Sequence, residues 1–391
     1  MQFLKDIIVV EFSHMVMGPT TGMILADLGA TVVKIEPVGG DKTRSLPGSG
    51  SGYFAMFNRN KQSICLDLKS DEGKEVVQKL LADADVVIEN FRPGALDKLG
   101  FGYDDVKKLN PSIVYQSSKG FLSGPYENRT ALDEVAQMMG GLAYMTGPSG
   151  KPLRAGSSII DITGGMFGVI GILAALYNRD AGKRSGDGAF VTSSLYETTA
   201  FLVGQHIAQH AVTGKPVPPM PERISAWAVY DVFSAFDAQV FVGVVSDGQW
   251  VSFCSEFNIP GWEDDPEFAT NTDRVAKRDI IIPRLRSLFA HMQSADLMVK
   301  LGRAGLPYAP IRKPEELLND EHLIVHGLQE LTLPDTGARI SLPKLPLEMN
   351  GARAELRSDL PSTGANTVSI MKSLGYGDED IKQMRLAGGV L

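Results

Sequence analysis

A chain of 391 residues is longer than one hydrophobic core usually serves, so at least two domains are expected. With 43% hydrophobic and 21% charged residues, and with apolar runs broken by Gly or charge, the composition is that of a globular protein with no membrane span, and a net charge of −8 argues against nucleic acid as a partner but not against an anionic ligand held by local Lys and Arg. Cys65 and Cys254 make no disulfide framework, and the first apolar stretch is short and interrupted by Glu11, unlike a signal peptide, so a cytoplasmic location is expected.

In chain order, residues 7–12 have the pattern of a short buried strand, 20–28 of a helix, and 31–35 of a second strand ending at Glu36. Residues 63–68, 71–82 and 86–89 repeat strand, helix, strand, and 103–109 with 113–116 add another helix and strand. This alternation predicts an α/β fold with a parallel, Rossmann-like sheet. The carboxyl ends of its strands then carry His14, Asn90, Phe91, Arg92 and Lys119 on one side, where open α/β sheets bind ligands. A dinucleotide-dependent dehydrogenase would fit that pattern, with Glu36 as its ribose-binding acid. The glycine fingerprint is missing, however, because the loop after the first strand supplies Gly18 alone where three glycines are needed.

Residues 166–176 form an apolar run long enough for a buried helix, and Asp161 stands at its entry, in Arg154-Ala-Gly-Ser-Ser-Ile-Ile-Asp161-Ile-Thr-Gly-Gly165. Two readings are open. An Asp at this place is either an ordinary N-cap for the first-turn amides or a nucleophile kept ionised by the positive end of the helix. Gly164 and Gly165 cost helix stability, leave room for a ligand to reach the backbone, and offer amides to an oxyanion.

Residues 182–188 read as a tight turn, 189–195 as a strand and 196–213 as one helix. The proline-rich 214–221 reads as a linker, and 228–233 with 240–245 as a hairpin. Helices near 250–257 and 278–301 complete a smaller α+β unit, a second linker covers 307–314, and 339–345 is a late strand before C-terminal helices. The expected division is thus a large domain built from 1–213 and 315–391, with a small domain at 222–306 inserted between them.

Other chemistry finds little support. His206 and His210, like His322 and His326, lie one helical turn apart, yet neither pair carries a zincin Glu or other ligands, so no metal site is expected. Neither a Gly-x-Ser-x-Gly elbow nor a Walker A loop is present.

Several segments resemble the CaiB/BaiF family, the class III CoA-transferases, whose members include formyl-CoA transferases and succinyl-CoA:dicarboxylate CoA-transferases. The resemblance is carried by Gly18-Pro19, the run from Leu28 to Pro37, Gly39-Gly40-Asp41, Asn58-Arg59-Asn60-Lys61, the run from Glu89 to Gly94, Lys119-Gly120, Gly147-Pro148, and Asp161 followed by the two glycines. It implies that Asp161 is the covalent carrier, passing through an aspartyl mixed anhydride and an aspartyl-CoA thioester. It also implies that His14, Met15, Val16, Met17, Arg44, Asn90, Phe91, Lys98 and Lys119 hold coenzyme A or acyl-CoA as a substrate, no cofactor being permanently bound. The resemblance further implies an interlocked homodimer.

Departures shape the substrate expectation. Pro37 or Val38 stands where an arginine meets the adenine in formyl-CoA transferases, Phe121 stands where they carry tyrosine, and no run of four glycines lies near 221–229. The family's racemases carry a His-Asp pair where this chain has Leu132-Asp133, so a 2-substituted acyl-CoA epimerase lacks its base. A CoA-binding protein without activity is the remaining alternative. A small dicarboxylate is expected as acceptor and succinyl-CoA as donor, with Arg154 and Arg223 as candidates to hold the second carboxylate.

Overall fold

The computed structural model describes residues 2–181, 186–223 and 225–391. The chain divides into two compact units, Met1–Pro221 together with Glu321–Leu391, and Glu222–Asp320.

The large unit is built on six parallel strands: β1 (Ile8–Phe12), β2 (Thr31–Glu36), β3 (Lys61–Cys65), β4 (Val86–Glu89), β5 (Val114–Lys119) and β6 (Ala189–Ser194), in the order β3-β2-β1-β4-β5-β6. Consecutive residues point to opposite faces, so Val9, Val32 and Val86 join one core while Val10, Val33 and Val87 join the other. Helices α1 (Met17–Asp27) and α7 (Ile159–Asp180) cover the first face. Helices α3 (Asp71–Ala82) and α4 (Tyr103–Leu109) cover the second, joined by α15 (Thr367–Ser373) and α16 (Asp378–Leu386) from the end of the chain. Between them run the short helices α2 (Tyr53–Phe57), α5 (Asp133–Met139) and α6 (Leu142–Thr146). The order of strands reverses between β1 and β4, which makes the loops after these two strands the walls of a crevice.

The C-terminal segment is tied to the β3 edge by hydrogen bonds from Ser63 N–H to Asn366 Oδ1 (3.0 Å) and from Cys65 N–H to Thr367 Oγ1 (3.2 Å). An antiparallel bridge joins Leu66 to Val390. These contacts span more than three hundred residues and leave no signal in local sequence.

Several boundaries differ from the sequence expectation. The helix read as 196–213 is two helices, α8 (Leu195–Leu202) and α9 (Gly204–Thr213), divided at Val203–Gly204. The turn expected at 182–188 falls mostly on residues 182–185, outside the described residues. Helix α7 reaches Asp180, and Arg179 in its last turn pairs with Asp85 at 2.8 Å. At 22 residues it is long and apolar enough to cross a membrane by length and composition, contrary to the reading that every apolar run is broken too soon. Its glycines interrupt hydropathy without interrupting the helix.

In the small unit, β7 (Val229–Ser234) and β8 (Gln239–Val244) form the expected hairpin, and β9 (Tyr308–Pro310), inside the stretch read as a linker, adds a third antiparallel strand to β8. Helices α10 (Asp247–Glu256), α11 (Asn271–Ala276), α12 (Arg278–Phe289) and α13 (Ser294–Arg303) pack on a core containing Trp250, Phe253 and Phe289. The chain returns to the large unit at Glu321, with α14 (Glu321–His326) and the antiparallel pair β10 (Leu328–Thr332) and β11 (Arg339–Pro343).

Candidate active site

The loop between β1 and α1 is held from below by buried charges. Glu11, Lys34 and Lys61 are fully buried, and Glu11 lies 2.9 Å from Lys61 and 3.5 Å from Lys34. Lys34 donates to the Ser13 carbonyl at 2.5 Å, and Ser13 Oγ donates to Glu11 at 2.6 Å. Burial pulls Lys61 down to about 8 against the opposing charge of Glu11. Above this base Met15 takes a left-handed φ of 65°, unusual for a residue with a side chain, and donates its N–H to Thr43 Oγ1 at 3.0 Å. Asn90 clamps the same loop to β4, accepting from His14 N–H (3.0 Å) and donating to the His14 carbonyl (2.8 Å). Both ends of the Asn90 amide are therefore occupied by backbone. The His14 ring lies tilted on Phe91 at 5.2 Å, and burial lowers its pKa, favouring neutral imidazole.

A cavity of about 740 Å³ opens above the carboxyl ends of β1, β4 and β5. It gathers His14, Met15, Met17, Asn90, Phe91 and Lys119 from the expected ligand-holding set, with Arg154 and Asp161 from the expected chemistry. Lys119 enters it already paired, 2.6 Å from Glu89 and donating to the Phe91 carbonyl at 2.9 Å.

Six expected residues do not line this cavity. Val16 is buried at the N-cap of α1, and Lys98 is exposed on a short turn after β4. Arg44 is committed elsewhere: its Nε and NH2 hold both oxygens of Glu36 at 2.8 and 2.6 Å, and its guanidinium lies 3.8 Å from the centre of the Phe54 ring. Burial opposes charge on Glu36, but the Arg44 pair holds its carboxyl below the usual range. Gly164 and Gly165 are buried where α7 crosses α1; a Cβ at Gly164 would meet Met17 Cε at 2.7 Å, and one at Gly165 the Met17 carbonyl at 2.7 Å. They serve close helix packing, not ligand approach, and lie deep enough in the helix for their amides to be spent on its own carbonyls. Arg223 belongs to the small unit.

Asp161 is not the cap of α7. Asp133 Oδ2 accepts from the N–H groups of both Ile160 (2.9 Å) and Asp161 (3.2 Å), while its Oδ1 accepts from Gln137 (2.6 Å) and Arg154 (3.2 Å). The first-turn amides are thus met by a carboxylate from α5, and among the described residues no hydrogen bond is donated to the carboxylate of Asp161. Burial, reinforced by the neighbouring charge of Asp133 and partly opposed by Arg154, pushes Asp161 up to about 7. This corrects the expectation that the helix end keeps it ionised throughout, since the dipole is already answered by Asp133.

Sequence reasoning missed the rest of the wall. Tyr53, Ser158 and Arg129 line the cavity, and Asp133, weighed only as part of a racemase motif, is the hub that orders the site. The run Asn128-Arg129-Thr130 carries no recognisable pattern. Asp133 and Glu134 at the start of a helix are ordinary first-turn acids until the fold sets them against Arg154. Among the described residues no group of three or more His, Cys, Asp or Glu side chains is placed to hold a metal.

A carboxylate to which no described residue donates, on a cavity wall at the reversal point of a doubly wound α/β sheet, stands where folds of this class bind their ligands. The profile of CoA-transferase family III matches residues 4–367. The chain is 34% identical to the acetyl-CoA:oxalate CoA-transferase of Acetobacter aceti over 88% of each chain, and 31% identical to the succinyl-CoA:glutarate CoA-transferase of Mus musculus over 100% of this chain and 91% of that one. A CaiB/BaiF family protein from Brucella suis has the same fold, with a TM-score of 0.83 and 31% identity across 95% of this chain and 99% of that one. The chain belongs to CoA-transferase family III, the CaiB/BaiF family, and is a CoA-transferase.

Proposed function

We propose that this enzyme moves coenzyme A from a small acyl-CoA, with succinyl-CoA as donor, to a small dicarboxylic acid, and that Asp161 is the covalent carrier. The observation that carries this reading is the Asp161 carboxylate, which lines the cavity and to which none of the described residues donates a hydrogen bond. One of its oxygens attacks the thioester carbonyl carbon, and collapse of the adduct breaks the C–S bond, leaving an aspartyl anhydride and CoA thiolate. The thiolate attacks the aspartyl carbonyl of the anhydride, expelling the donor carboxylate and giving an aspartyl-CoA thioester; the acceptor carboxylate attacks that thioester and expels CoA thiolate, which cleaves the resulting second anhydride at the acceptor's carbonyl to give the new acyl-CoA and free Asp161.

The His14–Phe91 wall and Lys119 are the proposed contacts for CoA. For the acceptor, Arg154 lines the cavity but shares its charge with Asp133 and Glu134. Arg129, over Tyr126 at 4.9 Å and with no acid partner among the described residues, is the better-placed cation for a second carboxylate. Succinate and glutarate fit this reading, as does the transfer named for the mouse relative. The epimerase alternative is disfavoured by Leu132, which lines the cavity and cannot carry a proton.

A homodimer, interlocked as the resemblance implies, is part of the proposal. In its favour, α7 to α9 expose Met166, Ile170, Tyr177, Phe201 and Val212, the last three at 78%, 71% and 86%, more apolar surface than an isolated chain readily leaves in water. Both cysteines are free, in keeping with a cytoplasmic enzyme.

Incubation with acyl-CoA and hydroxylamine, followed by peptide mapping, tests the carrier. Modification at Asp161 is expected, and full transfer by Asp161→Ala would refute the mechanism. A screen of succinate, glutarate, mesaconate, itaconate, oxalate and carnitine against succinyl-CoA and acetyl-CoA tests the substrates, where preference for a monocarboxylate would refute the acceptor class.

A further inference from the structure

The anhydride reading needs a donor for the negative oxygen that forms when Asp161 adds to a thioester, and the obvious donors are already used. The amides of Ile160 and Asp161 go to Asp133, and Gly164 and Gly165 are packed against α1. What is left on the wall of the same cavity is a hydroxyl pair. Ser158 occupies the N-cap of α7 but makes no side-chain cap bond, and Asp133 makes that bond redundant. Its Oγ lies 3.3 Å from Tyr53 Oη and accepts from Arg154 NH2 at 3.3 Å, and both Ser158 and Tyr53 line the cavity.

Two hydroxyls carry two protons, and the single bond between them uses one. Neither hydroxyl has a further acceptor among the described residues, so one proton remains unspent. Either hydroxyl can donate in the bond between them; Arg154 already donates to Ser158, so when Tyr53 donates as well both lone pairs of Ser158 are filled and its own proton is the free one. Ser158 is the N-cap of the helix whose first turn carries Asp161, and both residues line the same cavity.

We propose that the Ser158 hydroxyl, oriented by Tyr53 and Arg154, donates to the oxyanion formed on attack by Asp161 and is thereby a catalytic residue. The inference rests on the CoA-transfer reading. The carboxylate oxygen of Asp161 forms a bond to the carbonyl carbon, the carbonyl π pair moves to its oxygen, and Ser158 holds that oxygen. When the carbonyl re-forms, the C–S bond breaks and the pair leaves on the CoA thiolate, with no net proton transfer. A donor of this kind acts on the rate of the chemical step and hardly on ground-state binding.

The test is single-turnover release of CoA thiol from succinyl-CoA in the presence of hydroxylamine, for wild type, Ser158→Ala, Ser158→Thr, Tyr53→Phe and Asp161→Asn. Ser158→Ala is expected to slow release by about 100-fold with KM for succinyl-CoA changed less than about threefold. Ser158→Thr, which keeps the hydroxyl, should restore most of the rate, and Tyr53→Phe should cost far less than Ser158→Ala. Wild-type release in Ser158→Ala beside an inactive Asp161→Asn would overturn the role of Ser158 alone. A rise in KM with unchanged release rate would do the same, making Ser158 a binding group. Undiminished release by Asp161→Asn would overturn the covalent reading and this inference with it.

Discussion

Replacing Asp161 by Asn should stabilise the protein, and by an amount that grows with pH. Burial and Asp133 push Asp161 up to about 7 from an ordinary value of 3.8, so the folded state holds this proton more tightly than the unfolded chain does. Below the unfolded value both states are protonated and nothing is lost. As pH rises toward the folded value, the unfolded chain ionises freely while the folded state resists, and stability falls until Asp161 ionises in both. The shift of roughly three units corresponds to about 4 kcal/mol at full effect. Solvent at the cavity mouth reduces this, so Asp161→Asn is expected to gain about 2–4 kcal/mol near pH 8 and less than half of that near pH 5. Urea unfolding at both pH values measures it. Far-UV circular dichroism is the suitable probe, because all three tryptophans, Trp227, Trp250 and Trp262, lie in the small unit and their fluorescence would report on the wrong part of the chain. Equal gains at both pH values, or a loss near pH 8, would show that Asp161 is not held by burial beside a like charge.

The same shift predicts that CoA release in the first half-reaction rises through about pH 7 on its acid limb, as Asp161 becomes a carboxylate; an acid limb near pH 4 in stopped-flow thiol detection would contradict it. Gly165→Ala should lower stability by about 1–3 kcal/mol through a Cβ driven against the Met17 carbonyl and Thr20, and an unchanged thermal midpoint would mean the helix crossing gives way freely. Arg44→Met should destabilise by about 3–5 kcal/mol, because Glu36 is left buried without its cation, yet leave KM for acyl-CoA within about twofold; a large rise in KM with intact stability would return Arg44 to the ligand.

The alternation of short apolar runs with helical patterns is a local property, so β1, β2, β4 and β5, the parallel sheet and the side of it on which the cavity opens were legible from sequence. Asp161 was legible too, as a carboxylate at the mouth of a long apolar helix, and with it the candidate chemistry. What the carboxylate does electrostatically was not, because that depends on a second carboxylate 28 residues away, Asp133, which the fold places on the same amides. Glycines and arginines were the residues most easily misread. A glycine pair looks alike whether a ligand or a neighbouring helix approaches it, and Gly164 and Gly165 proved to face α1. An arginine near a ligand loop looks free until its partner is seen, and Arg44 had its partner in Glu36, at the end of the adjoining strand. Period, length and chemical type are written in the chain, whereas the pairing of charges and the spending of hydrogen-bond donors are properties of residues brought together from afar, and these only the tertiary structure decided.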